Sequence, residues 1–344
     1  MLDRYFKIEN REREAVNWLT RSVRAGVDDV AAASDQRLSE ANLSGMEEVR
    51  GMLERRPADA APAAGPSLLD VKIELARRML SSCVCCERRC GADRASGATG
   101  FCGVGAESRY TSDFLHMGEE PELVPSHTIF FSGCTFECVY CQNWDIAIDA
   151  RAGRLAEPEM LAAVLQEGVG QGSRNANFVG GNPDPHLYTI LRTIKLAGEA
   201  ARFLPMVWNS NMYTSIEAMR LLDGVIDVYL GDFRYGGDAC AEELSGATGY
   251  FDVVSRNFAY AFASAEVMVR HLVLPGHLEC CTRPVMEWTS ANMPGVYFNL
   301  MFQYRPEYRA SLYPMIDARL TPEERTRAAA MAAEFGLSYG GSLP

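Results

Sequence analysis

Six short, nearly unbroken apolar runs, each followed by a stretch of helical character, constrain the fold of this 344-residue chain more than any other feature. They read "HTIFFSG", "NANFVGG", "PMVWNS", "IDVYLGD", "EVMVRHLVLP" and "VYFNLMFQY". A strand with one solvated face alternates apolar and polar residues, whereas a strand covered by helices on both faces has no such need. Strands of the second kind, alternating with helices, assemble into a parallel sheet through right-handed crossovers. The expectation is an α/β fold, either an open doubly wound sheet or a barrel, complete or partial. In each of these, ligands collect at the carboxyl ends of the strands. The unusual residues fall there: Cys134 after the first run, Gly180 and Gly181 after the second, Asn209 to Asn211 after the third. Asp232 follows the fourth, His271 closes the fifth, and Gln303 and Tyr304 close the sixth.

Three segments organise the rest. Residues 1–66 read as an N-terminal helical extension, with Val16, Leu19 and Val23 at helical spacing, ending in an exposed linker, "RRPADAAPAAGPS". Residues 67–125 read as a helix, capped by Ser67 with Asp70 three residues on, that leads into a Cys-rich metal-binding module. Residues 126–344 hold the strand–helix repeats and a closing helix, "LTPEERTRAAAMAAEFGL".

A net charge of -12 and a pI near 5.0 argue against a nucleic-acid binder, since phosphate affinity rests on clustered Lys and Arg. No apolar stretch is long enough to span a membrane and no secretory leader is visible, so the expected location is cytoplasmic. In that compartment eleven cysteines read as thiols for metal binding or catalysis, and eight of them fall between Cys83 and Cys141.

The densest group lies in "FFSGCTFECVYCQNWDIA": Cys134, Cys138 and Cys141, spaced CxxxCxxC on a loop behind the first strand. Three thiolates without a local fourth suit a site that keeps one coordination position open. This stretch resembles the signature of radical S-adenosylmethionine (SAM) enzymes. The resemblance implies a partial six-stranded parallel β/α (TIM-like) barrel and a [4Fe-4S] cluster whose uncoordinated iron binds SAM. It further implies reductive cleavage of SAM to a 5′-deoxyadenosyl radical, fed by an electron donor such as flavodoxin or ferredoxin. Within that superfamily the sequence resembles the activating-enzyme branch typified by pyruvate formate-lyase activating enzyme, which abstracts hydrogen from a glycine of a partner protein. The likeness assigns cofactor contacts to Tyr140, beside the adenine, and to Asn143 in "CQNWDIA". It also assigns them to Gly180, Gly181 and Asn182 in "NFVGGNPDPHL", where Asn replaces the family's Glu. "WNSNMY" and "YLGDFRYG", with Asn209, Asn211, Asp232 and Arg234, take the place of a cation and cofactor site. Modification of a small molecule or of another protein side chain is the alternative reading. A non-catalytic iron-sulfur electron carrier, or a metal-stapled interaction protein, is the alternative from a different class.

Upstream, Cys83, Cys86, Cys90 and Cys102 give C-x2-C-x3-C-x11-C, which fits zinc or a second iron-sulfur cluster and leaves Cys85 as a spare. His271, Gln303 and Tyr304 are candidates for the substrate side. Cys240, Cys280 and Cys281 read as cysteines packed like small hydrophobes, and His116 as a loop histidine near Glu119 and Glu120.

Overall fold

A computed structural model describes residues 2–55 and 60–337. All six apolar runs are strands of one sheet, which adds two more: β1 (Arg109–His116), β2 (Ser126–Phe131), β3 (Arg154–Leu155), β4 (Asn175–Gly180), β5 (Met206–Ser210), β6 (Val228–Asp232), β7 (Glu266–Leu272) and β8 (Tyr297–Met301). Their order is β3-β1-β2-β4-β5-β6-β7-β8, and the sheet does not close. From β2 to β8 in sheet order every pair is parallel, the partial barrel that the resemblance implied. β1 runs antiparallel to β2 and also pairs with the two-residue β3. "RYTSDFLH" lacks the apolar run of a strand buried on both faces, because β1 is a half-exposed edge element.

The inward faces of the strands form layers. At the bottom, Val207, Val228, Leu230, Met268 and Tyr297 pack against Leu2, Tyr5 and Leu123. The N-terminal extension therefore seals the barrel floor. Glu266 at the start of β7 accepts from the backbone N–H groups of Arg4 (2.9 Å) and Tyr5 (2.8 Å), which satisfies the exposed donors of helix Asp3–Glu9. Asp227 at the foot of β6 accepts from Val16 N and Met206 N, each at 2.9 Å. Above the floor the lumen is polar. Asn177 donates to Glu119 at 3.2 Å and Asn299 to Glu120 at 2.9 Å.

Outward faces, including Phe178, Trp208, Tyr229 and Phe298, pack with the surrounding helices into the main core. Helices Val16–Ser22, Asp35–Arg55 and Leu68–Arg78 build a smaller core around Trp18, Leu38, Val49 and Leu68. The expected cap is formed: Ser67 Oγ donates to Asp70 at 2.8 Å. Of the expected linker, residues 56–59 lie outside the described residues. The remainder of the linker is fastened to the helices, since Trp18 Nε1 donates to Ala60 O at 2.7 Å and Ala63 N to Arg21 O at 2.9 Å.

Candidate functional site

β2 delivers its loop to the mouth of the barrel, where two backbone bonds pin it to the loop after β4. Gly181 N donates to Phe131 O at 2.8 Å and Asn182 N to Gly133 O at 3.0 Å. So close an approach requires glycine: a Cβ on Gly181 would lie 2.1 Å from Gly133 O. Cys134, Cys138 and Cys141 then face one cavity of about 300 Å³, whose wall includes Gly180, Gly181, Asp232, Arg234 and Arg270. Cys138 Sγ accepts from Arg234 at 3.0 Å and from Ser245 Oγ at 2.8 Å. Ser245 ends helix Asp238–Ser245, whose last carbonyls also accept from Val139 N (2.9 Å, on Leu244 O) and Glu137 N (3.2 Å, on Ser245 O). The cysteine loop is thus cradled from two sides.

Burial pushes the Cys134 thiol far above its ordinary range, and burial with the neighbouring Cys138 pushes Cys141 up to about 11. A bound cation is what lets such thiols ionise at neutral pH. Among the described residues only Cys240, His277 and Cys280 gather three metal-ligating atoms within 4.8 Å of one another. The three sulfurs at the mouth share one cavity. They suit a cluster that presents a separate iron to each.

Below the cysteines runs a chain of charge. Arg270, mostly buried between the lumen and the cavity, donates to Asp232 at 2.9 Å and to Asn209, and faces Glu119 at 3.7 Å. Arg234 donates to the other Asp232 oxygen at 2.6 Å. Burial would raise the Asp232 carboxyl, yet Arg270 and Arg234 together hold it below the usual range. At the expected cation site Asp232 is ionised and each of its oxygens is engaged by a guanidinium.

Several expected contacts are displaced. Asn143 lines the cavity from its rim. Tyr140 lines it too, but its hydroxyl points inward, hydrogen-bonded at 2.6 Å to Tyr235, which bonds Ser245 at 2.5 Å. Asn182, Asn209 and Asn211 lie behind the wall. Asn182 Oδ1 accepts from Asn211 N at 3.2 Å, and Asn211 Nδ2 donates to Thr135 at 2.8 Å, so these side chains tie loops together. His271 is sealed between Phe233 O (2.7 Å) and Thr282 Oγ1 (2.9 Å), and burial pulls it down to about 4. A strand end that looks functional in sequence is here a neutral strut. Tyr304 is buried with its hydroxyl on Ile316 O at 2.6 Å, and Gln303 is exposed off the cavity, so neither faces the presumed substrate. Gln142, Tyr308 and Arg309 line the cavity, and Ser245 touches Cys138, without having been expected there from sequence, whereas Arg270, in "VRHLVLPGH", which resembles the superfamily's Arg-x-x-Val-x-Pro-Gly strand end, lines it as well. Arg270 sits in "VRHLVLP" and carried a signal, a charge in an otherwise apolar strand; Ser245 carried none.

The upstream cysteines pack beside this site. A Cβ on Gly133, the residue before Cys134, would meet Cys102 O at 2.7 Å. Arg94, buried, holds the module with bonds to Gly105 O (2.8 Å) and Pro185 O (2.7 Å), and its guanidinium lies 3.8 Å from Cys83 Sγ. The spare Cys85 is not idle: its buried thiol donates to Cys83 and lowers the Cys83 pKa.

Comparison with known proteins gives three findings. A family model described as "Radical SAM superfamily" matches residues 128–289. An uncharacterized protein of Methanocaldococcus jannaschii is 46% identical over 278 residues, covering 79% of this chain and 80% of its own. Among solved structures, Streptococcus suis SuiB bound to S-adenosylmethionine (13% identity, TM-score 0.43) covers 59% of this chain, and SuiB bound to precursor peptide SuiA (10% identity, TM-score 0.46) covers 88%. The present chain spans 45% and 61% of those two chains.

Proposed function

We propose that this chain, whose residues 128–289 match the radical SAM superfamily model, is a radical SAM enzyme that abstracts hydrogen from a polypeptide substrate, a glycine of a partner protein in the activating-enzyme manner. Cys134, Cys138 and Cys141 fit a [4Fe-4S] cluster by donor set and spacing, with Gly180 and Gly181 offering bare backbone alongside. When bound, the cluster and SAM supply the reductive cleavage that generates a 5′-deoxyadenosyl radical. The chain's own residues do the positioning. Arg234 and Ser245 place donors on Cys138 Sγ and stabilise its negative charge, and the Asp232–Arg270 pair fixes Arg234 from below. Gly180 and Gly181 let the loop after β4 press against the cysteine loop, which keeps that wall free of side chains. The Cys83, Cys86, Cys90 and Cys102 module, packed beside the first cysteine loop, supplies four thiols for a second metal site, zinc or iron-sulfur. A flavodoxin or ferredoxin is the proposed reductant.

The observation that carries the substrate reading is the shape of the mouth. The sheet is open, and the rim beside the cavity exposes Trp144 (44%) and Ile148 (52%), with Trp144 stacked on Tyr308 at 5.6 Å. Exposed apolar residues flanking a catalytic mouth suit a protein surface better than a small polar metabolite.

The test is anaerobic reconstitution followed by reduction and addition of SAM. The expected product is 5′-deoxyadenosine, lost together with cluster iron in Cys138→Ala. Adding a protein that carries a glycyl-radical loop should then give the glycyl electron paramagnetic resonance doublet. 5′-Deoxyadenosine without that doublet overturns the glycine reading in favour of a small molecule or another side chain. No 5′-deoxyadenosine with iron present leaves the non-catalytic electron carrier.

A further inference from the structure

A third group of sulfurs lies apart from both cysteine sets described above. Cys240 sits in the first turn of helix Asp238–Ser245, after β6. His277, Cys280 and Cys281 come from the turn after β7, around Leu278–Thr282. In sequence these cysteines read as packing residues, but Cys280 is exposed and Cys240 half-exposed, which apolar packing does not explain. The fold brings them together from 40 residues apart, with Cys240 Sγ 3.6 Å from Cys280 Sγ. Cys281 Sγ lies 3.9 Å from Cys280 Sγ. Ligand atoms of Cys240, His277 and Cys280 all fall within 4.8 Å of one another.

Those separations match a mononuclear site. Zinc binds thiolate at about 2.3 Å, and tetrahedral angles then put two sulfurs roughly 3.8 Å apart. The histidine is set for the same purpose. His277 Nδ1 lies 2.7 Å from Pro275 O, and a carbonyl only accepts, so Nδ1 carries the proton and Nε2 keeps its lone pair for a metal. A ligating histidine is normally oriented by such a bond from its other nitrogen.

We propose that Cys240, His277 Nε2 and Cys280 bind a zinc ion, with water completing the tetrahedron on the exposed Cys280 side. Binding expels the thiol protons to solvent and leaves the oxidation state of every atom unchanged. The ion staples the segment after β6 to the turn after β7. Its consequence reaches the mouth through one helix: Asp238–Ser245 carries Cys240 in its first turn and ends at Ser245, which donates to Cys138. The staple is a positioning device for the cradle of the three-cysteine loop. It does not depend on what substrate the mouth accepts.

The test is metal analysis of the full-length protein purified anaerobically, without chelator, with zinc and iron measured together. The expected result is about one zinc per chain that is lost in Cys280→Ser and in His277→Gln, with iron unchanged in both. Cobalt titration of the wild type is a check that needs no variant. It should give the intense d–d bands of tetrahedral thiolate coordination, abolished by prior addition of one equivalent of zinc and weakened in Cys240→Ser. Zinc retained by both variants would place the ion elsewhere and overturn the assignment. So would zinc-free protein that shows no cobalt bands, or a Cys240–Cys280 disulfide found by mass spectrometry after anaerobic alkylation.

Discussion

Gly181→Ala isolates the contact on which the mouth depends. The added Cβ would lie 2.1 Å from Gly133 O, and the remaining neighbours, Gly133 C at 2.7 Å and Ala147 Cα at 3.2 Å, are backbone atoms that cannot rotate away. The two loops must separate by about 1 Å to reach ordinary van der Waals distance. That movement strains the bonds from Gly181 N to Phe131 O and from Asn182 N to Gly133 O, each worth about 1 kcal/mol. With overpacking included, the expected loss of stability is about 1–3 kcal/mol, which leaves the chain folded. Function should suffer more, because Gly133 precedes Cys134 and a displacement of about 1 Å at a reacting site can cost roughly 100-fold in rate. The assay pairs a thermal melt with iron content and 5′-deoxyadenosine formation. Gly170→Ala serves as control: it ends helix Pro158–Gly170, and its added Cβ meets nothing within 4 Å. Gly181→Ala protein with wild-type iron content and turnover would refute the claim that backbone contact between these loops sets the cysteine geometry.

Other buried charges make further outcomes measurable. Burial, opposed by Arg4, raises the Asp227 carboxyl from 3.8 to about 6, so the folded chain binds its proton more tightly than the unfolded one. Stability from this group is full below pH 4 and is lost as pH rises through 6, by about 3 kcal/mol. Asp227→Asn should therefore gain on the wild type between pH 4 and pH 7 in denaturant melts, and a difference independent of pH would be incompatible with this. Lys72 is fully buried with its Nζ on Arg220 O at 3.0 Å, and burial lowers it from 10.5 to about 7. Its penalty is full at pH 7 and below and fades towards pH 10.5, so Lys72→Met should stabilise by about 2–4 kcal/mol at pH 7 and by less at pH 10. Arg234→Met removes one of the two side-chain donors on Cys138 Sγ; a cluster potential lower by roughly 50 mV is expected in a redox titration, and an unchanged potential would show that this bond does not tune it.

The strands were legible because their composition reports two-sided burial, and burial on both faces is a local property of each run. β1 was not legible, since its pairing is decided by its neighbour β2 and not by its own pattern. The N-terminal helices carried helical periodicity but no sign of where they dock. That is decided by Glu266 and Asp227, carboxylates at strand feet that accept backbone N–H groups from a helix start and a turn far along the chain.

At the site, the motif singled out Cys134, Cys138 and Cys141 because CxxxCxxC is contiguous, and the fold brings all three to one cavity. The polar wall was harder to read for a physical reason. A side chain at the end of a parallel strand can point into the cavity, into the lumen below it, or between strand and helix, and a shift of one residue decides which. Asp232, Arg270 and Leu272 alternate along β6 and β7 onto the inner face; His271, one position off, lands in the core as a neutral strut. The same geometry gives the lumen its role. Glu119 and Glu120 enter from the edge loop, Arg270 faces them, Asp232 joins Arg270 to Arg234, and Arg234 reaches Cys138. Each cation is bracketed by anions, so the column is held rigid without placing a net charge beside the cluster's thiolates other than the single guanidinium that touches them. In a barrel whose sheet stays open and whose floor is an N-terminal helix, that column adds a hold on the cysteine loop from below, through Arg234 on Cys138, to the backbone contacts that hold it from the side.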